Sequence, residues 1–119
     1  MSKRADFELL CDIDESIRRI MSYLKEMTYD QFLKDLKTQD ALVRNLEIIG
    51  EATKNLSDDF RKKNSEIAWK QLAGLRDRLI HHYFGLNFEV IWTITMKELP
   101  VLSEEINKIW QRNHKKESS

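Results

Sequence analysis

Phe7, Leu10, Ile13, Ile17, Ile20, Leu24 and Met27 recur at spacings of three and four. That rhythm draws one apolar stripe along a helix of about six turns. Asp12, Asp14, Glu15, Arg18, Arg19 and Lys25 fall on its other faces and read as its wet side. Thr28-Tyr29-Asp30-Gln31 has the form of a capping box, which opens a short helix through Phe32, Leu33 and Leu36. Thr38 or Asp40 is positioned to cap a second long helix, whose stripe is Leu42, Leu46, Ile49, Thr53 and Leu56, widened by Val43 and Ile48. Gly50 lies in the middle of it. A glycine there costs roughly 1 kcal/mol against alanine, and the compensation expected is close approach of another helix.

Ser57-Asp58-Asp59-Phe60 starts a short turn with two acids well placed for a helix N-terminus. Asn64-Ser65-Glu66 leads into a further helix from about Ala68, with Ala68, Leu72, Leu75, Leu79 and Tyr83 as its buried edge and Gly85 as its stop. Asn87 can cap the last long segment, marked by Val90, Ile91, Ile94, Leu99, Leu102, Ile106, Ile109 and Trp110. Pro100 falls inside that pattern and should kink or split it. The polar residues from Arg112 onward read as a frayed tail. The pattern predicts an all-α, up-and-down bundle of four principal helices plus short connecting ones. It forms one domain over 1–111, followed by a polar tail over 112–119.

Composition supports this picture. Three glycines and one proline in 119 residues leave few turns, and the length suits one domain with a real core. Twenty basic and twenty acidic residues give zero formal net charge. A generic nucleic-acid binder is usually basic, so any contact with RNA must rest on local positive charge. Arg61-Lys62-Lys63 reads first as a solvated turn and second as a source of such attraction. The single cysteine, Cys11, excludes an internal disulfide and reads as a small buried or half-buried residue. No stretch approaches the ~18–20 apolar residues of a membrane span. The N-terminus lacks a signal-type apolar core, so a cytoplasmic protein is expected.

Candidate chemistry gathers in Arg76-Asp77-Arg78-Leu79-Ile80-His81-His82-Tyr83-Phe84-Gly85. Outside it the only histidine is His114. A permanently charged guanidinium beside an imidazole that titrates near neutrality suits chemistry on phosphate esters. On a straight helix Asp77 and His81 are one turn apart, so Asp77 could orient the ring of His81. Arg78 and His82 would form a second such pair. Arg76 and Tyr83 would lie nearly in line, whereas Arg76 and His81 would point about 140° apart. Either the helix distorts before Gly85, or a second copy of the chain completes the site.

With that placement, a neutral His81 could take a proton from a ribose 2′-hydroxyl while Arg76 stabilises charge on the phosphate. DNA lacks that hydroxyl and is excluded as substrate. A metal is not expected, since adjacent histidines face different sides of a helix and no His-Glu-x-x-His pattern occurs. No other cofactor is implied. The structural readings are plainer: Tyr83 a core aromatic, His82 a surface or interface residue, and Trp69, Trp92 and Trp110 core or dimer-interface residues.

Arg76-x-x-x-x-His81-x-Tyr83 resembles the signature of the HEPN superfamily, in its HepT-like toxin branch. Val43-Arg44-Asn45-Leu46-Glu47-Ile48-Ile49-Gly50-Glu51-Ala52 resembles that branch's second long helix. Trp69-Lys70-Gln71-Leu72-Ala73-Gly74-Leu75-Arg76-Asp77 resembles the approach to its active site. His82-Tyr83-Phe84-Gly85-Leu86-Asn87 and Leu99-Pro100 resemble the segments beyond that site. The likeness runs from about residue 5 to 110. It implies a helical bundle that dimerises, with the Arg76 and His81 motifs of both subunits lining a cleft. It also implies a metal-independent endoribonuclease, the toxin of a toxin–antitoxin pair. The implied partner is an MntA-like minimal nucleotidyltransferase, which silences the toxin by transferring AMP to the motif tyrosine, here Tyr83. Two positions depart from the pattern. Asp77 stands where relatives often have Asn; it keeps an acceptor for His81 but opposes an incoming phosphate. Glu66 stands where relatives often have Pro, in a loop.

A function of another class fits the same residues. The chain could be a non-catalytic helical partner that binds a nucleotidyltransferase, or a nucleotide, through the same cleft. Arg76 and His81 favour the ribonuclease, and zero net charge favours the binding partner.

Overall fold

The first apolar stripe becomes helix α1, Lys3–Leu24. It is seen in a computed structural model that describes residues 3–81 and 85–118, with the backbone alone for residues 3, 4, 81 and 114–118. Leu10, Ile13, Ile17, Ile20 and Leu24 are all buried. Cys11 is exposed, contrary to expectation. It follows Leu10 by about 100° around the axis, which carries it off the stripe.

The capping box forms at the predicted residues. Thr28 Oγ1 accepts from the Gln31 N–H at 3.2 Å, and Gln31 Oε1 accepts from the Thr28 N–H at 2.9 Å. They open helix α2, Tyr29–Leu33. Helix α3, Leu36–Asn55, starts earlier than expected. Its cap is Asp35, whose carboxylate accepts from the Thr38 N–H at 3.1 Å, and neither Thr38 nor Asp40 takes that role. The buried Gln39 secures the corner by donating to the Phe32 and Leu33 carbonyls at the end of α2.

α3 packs along α1 through the most extensive interface in the bundle. Its predicted stripe, Leu42, Leu46, Ile49, Thr53 and Leu56, is buried throughout, and the Thr53 hydroxyl is satisfied by the Ile49 carbonyl. Ser57 caps helix α4, Asp58–Lys63, and is held by Asp6 of α1. The buried Asp6 carboxylate accepts from Ser57 N at 2.8 Å and Ser57 Oγ at 2.7 Å. Within α4, Arg61 pairs with Asp58 and Lys63 with Asp59, so the basic run is a solvated turn.

The next segment departs from the single helix expected between Ala68 and Gly85. It is broken into helix α5, Trp69–Ala73, helix α6, Leu75–Leu79, and a two-residue antiparallel pair, β1 Ile80–His81 with β2 Gly85–Leu86. Ala68 is exposed at the start of α5, and Trp69 takes the buried place, its indole N–H donating to the Asn64 carbonyl.

Asn87 caps helix α7, Phe88–Thr93, by accepting from the Val90 N–H at 3.1 Å. A π-helical turn, Ile94–Glu98, joins α7 to helix α8, Leu99–Ser118. Pro100 neither splits nor ends this run. It has no N–H for the Met96 carbonyl, and its ring would press on that group in a regular helix. The turn before it widens instead, with the Leu99 N–H reaching back to the Ile94 carbonyl. α8 also continues helical through residues 112–118, where the polar sequence predicts fraying. Arg112 ties its end to the α4–α5 connection through Asn64 and Glu66, both at 2.8 Å.

Candidate active site

Two glycines set the position of the arginine–histidine segment. At Gly50 of α3 an added Cβ would lie 3.3 Å from the Leu72 carbonyl oxygen and 3.6 Å from Leu75 Cβ. The α5–α6 junction therefore rests directly on α3, the close approach expected for this glycine. Gly74 makes the break between the two short helices; its carbonyl accepts from the N–H groups of Asp77 and Arg78. Leu75 and Leu79 are fully buried and pin α6 in place.

That anchoring sorts the charged residues of α6. Arg76 and Asp77 are exposed. Arg78 turns to the π-helical turn, where its guanidinium donates to both carboxylate oxygens of Glu98, at 2.9 and 2.6 Å. The hydrogen bond to Glu98 holds the Arg78 guanidinium above its usual range; burial works against it and the Glu98 charge adds to it. The expected partnership of Arg78 with His82 is thus replaced, on the Arg78 side, by a residue twenty positions away.

α6 ends at Leu79. Ile80 is extended, and the Leu79 carbonyl accepts from the Asn87 N–H at 2.9 Å. His81 pairs with Gly85, and Ile80 with Leu86. Gly85 has φ +83°. It is a hairpin glycine and not a helix stop, for it adopts the left-handed backbone that returns the chain toward α7. The one-turn helical relation of Asp77 to His81 is overturned, since His81 lies beyond the helix end in extended backbone. Of the two alternatives left open by helical geometry, distortion before Gly85 is what the fold adopts. His82, Tyr83 and the His81 side chain lie outside the described residues.

Arg76 opens onto a groove of about 280 Å³ floored by Gly50 and Ala73 and walled by Arg44, Glu47, Glu51 and Lys54 of α3. Among the described residues, none of the cations Arg44, Lys54 and Arg76 has a carboxylate within 4.0 Å. The exposed Arg76 guanidinium is therefore available to an anion. The α3 contributors do not stand out in the sequence, although their spacing of three, four and three places them on one helical face. Among the described residues no three His, Cys, Asp or Glu side chains gather as a metal site. No helix in the described residues is long and apolar enough to cross a membrane.

The family model of the HepT-like ribonucleases matches residues 13–109. The chain belongs to the HepT-like ribonuclease family. A protein of Methanocaldococcus jannaschii named "Putative RNase MJ0127" is 49% identical over 109 residues, covering 92% of this chain and 90% of that one. A protein of Thermococcus cleftensis named "Probable ribonuclease HepT" is 42% identical over 107 residues, covering 90% of this chain and 97% of that one. No solved structure matches. In this member of the HepT-like family, an enzyme of RNA cleavage, α6 and β1 carry the arginine and histidine of the predicted motif, and α3 supplies the charged wall beside Arg76.

Proposed function

We propose that the protein is a metal-independent endoribonuclease, the cytoplasmic toxin of a toxin–antitoxin pair, acting as a homodimer. The observation that carries the reading is the placement of Arg76. It is an exposed guanidinium with no ion pair among the described residues, anchored on a short helix that leads directly into the extended His81. Membership of the HepT-like ribonucleases supplies the reaction class.

In the proposed reaction, His81 as the free base takes the proton of a ribose 2′-hydroxyl. That oxygen bonds to the adjacent phosphorus as the P–O5′ bond breaks, leaving a 2′,3′-cyclic phosphate and a 5′-hydroxyl. The departing 5′-oxygen takes a proton from the imidazolium or from water. Arg76 stabilises the charge that builds on the non-bridging oxygens. Asp77 supports the site from the same turn of α6. A break at Leu79 frees His81 from the diverging direction that a continued helix would impose. Two copies would place two such motifs about one cleft.

Tyr83 is the proposed point of control. An MntA-like nucleotidyltransferase antitoxin would transfer AMP from ATP to its hydroxyl, which loses its proton as pyrophosphate departs, placing a phosphate beside the Arg76 and His81 motif, where it would fill the anion site and keep RNA out.

The test is cleavage of RNA by purified protein in EDTA, comparing wild type with His81→Ala and Arg76→Ala. Mass spectrometry first establishes that Tyr83 is unmodified. Expected is cleavage by wild type alone, with products ending in cyclic phosphate. Inactivity of unmodified wild type, or full activity of either variant, would overturn the assignment; the first would favour a non-catalytic partner of a nucleotidyltransferase.

A further inference from the structure

The groove beside Arg76 carries more charge than cleavage of one phosphodiester requires. Arg44, Glu47, Glu51 and Lys54 lie within about 80° of arc on α3. All four are exposed and border the same space as Arg76. Their charges do not cancel by contact. Glu47 follows Arg44 by three residues and Lys54 follows Glu51 by three, yet neither pair comes within 4.0 Å. Asp58 and Arg61, at the same spacing in α4, do meet, at 2.7 Å. The α3 side chains thus leave donors and acceptors open toward the groove.

Its size and floor narrow the ligand. A volume of about 280 Å³ lies at the small end of ligand pockets, which run from about 300 to 1,000 Å³. That is room for a nucleotide and not for a duplex. Ala73 presents only a methyl group and Ile48 an apolar side chain beside it, so a flat ring can rest on this part of the groove. A mixed wall of cations and carboxylates fits a ligand with both an anionic part and N–H donors. A single-stranded nucleotide has both.

We infer that this groove is a nucleotide subsite flanking the cleavage position: Arg44 and Lys54 each hold one of two neighbouring phosphodiesters, and Glu47 and Glu51 select a guanine base between them. The inference rests on the ribonuclease reading for its substrate class. Guanine presents two adjacent donors, N1–H and N2–H, which one carboxylate can accept together. Uracil presents a single N–H between two carbonyls, and both carbonyls repel a carboxylate. Cytosine and adenine each offer an amino group beside an unprotonated ring nitrogen, so they fall between. The carboxylates set preference and the cations set affinity, because phosphate contacts carry no base information.

The experiment measures binding by fluorescence anisotropy with the full chain in EDTA. The probes are fluorescein-labelled 2′-O-methyl hexanucleotides, which cannot be cleaved: all-uridine, and the same strand with one guanosine, cytidine or adenosine. Unmethylated strands are assayed for cleavage in parallel. Wild type is expected to bind the guanosine strand about tenfold tighter than all-uridine. Glu47→Gln/Glu51→Gln should bring that ratio below about twofold. Arg44→Ala/Lys54→Ala should weaken every strand about tenfold and lower the salt slope by roughly 1.4, two phosphate contacts on a single strand. All four residues are exposed, and circular dichroism confirms that the variants are folded. Equal wild-type affinity for the four strands, or variants that bind as wild type does, would overturn the subsite even if cleavage proceeds. Binding with these preferences but no cleavage would uphold the subsite and remove the catalytic reading.

Discussion

Glu98→Gln removes the charge from a carboxylate that holds the helix of Arg76 against the π-helical turn. The magnitude comes from geometry and exposure. The Arg78 guanidinium makes two parallel hydrogen bonds to Glu98, at 2.9 and 2.6 Å. Shielded hydrogen bonds to charged groups contribute about 1.5–3 kcal/mol each. Here the two side chains retain 33% and 36% exposure, so water screens the pair toward the ~0–1 kcal/mol of surface bridges. Bidentate geometry argues for the upper end, about 1 kcal/mol. In a domain of this length that lowers Tm by about 4 °C.

A thermodynamic cycle with Arg78→Met isolates the pair. Urea denaturation should give a coupling of about 1 kcal/mol between the two substitutions, falling in 1 M NaCl. The raised Arg78 pKa puts no slope into the working pH range. A raised pKa contributes stability that is fully present below the unfolded value and is lost only as pH rises through the folded one, above the range in which the protein would be handled. A coupling below about 0.3 kcal/mol would refute the view that this bridge fixes α6. So would a coupling that persists undiminished in high salt. If the bridge also positions the segment leading to His81, kcat of the folded Glu98→Gln protein should fall with little change in KM.

The Asp6 carboxylate is 4% exposed and accepts from both the N–H and the hydroxyl of Ser57, so Asp6→Ala should cost about 2–3 kcal/mol by urea denaturation. Asp6→Asn keeps one acceptor and should cost less than half as much; equal losses would contradict the two-bond account. Gly50→Val places branched carbons against the Leu72 carbonyl, 3.3 Å from the first side-chain carbon, and should cost about 1–3 kcal/mol. It should also weaken RNA binding at the groove, and unchanged stability would show that α5 yields freely. Burial raises the Glu66 carboxyl pKa, but the Arg112 hydrogen bond, the Glu66 backbone, and the charges of Arg112 and Lys108 together lower it below its usual 4.5. A depressed carboxylate contributes stability present above that value and lost as pH falls through the folded one. Arg112→Gln should therefore flatten the acid limb of a stability–pH curve below about pH 4.5, and an unaltered limb would remove this contribution.

Much of the fold was legible along the chain. The α1 and α3 stripes, the Thr28–Gln31 box, the Asn87 cap and the close contact at Gly50 all arise from relations within about four residues, or from one residue's missing side chain. Helical periodicity and capping are local physics, so composition and spacing suffice to read them. The arginine, histidine and tyrosine of the motif were likewise visible as a cluster of chemistry in one short stretch.

Other features depended on partners far away in sequence. Whether the helix ran on past Leu79 was decided by Asn87, which takes the Leu79 carbonyl, and by Gly85, which turns the chain back. Arg78 could have paired along its own helix, yet Glu98 lies across from it and wins both oxygens. Asp35 displaced two equally plausible caps because Gln39 locks the corner behind it. Pro100 was absorbed by a widened turn inside a continuous packed helix. Arg44, Glu47, Glu51 and Lys54 became a wall of the candidate site only when α6 set Arg76 over α3. Sequence by itself determined the helices and the reactive residue types. Tertiary packing decided where helices end and which charges face one another, because those outcomes turn on contacts between residues several to some fifty positions apart that no local period encodes.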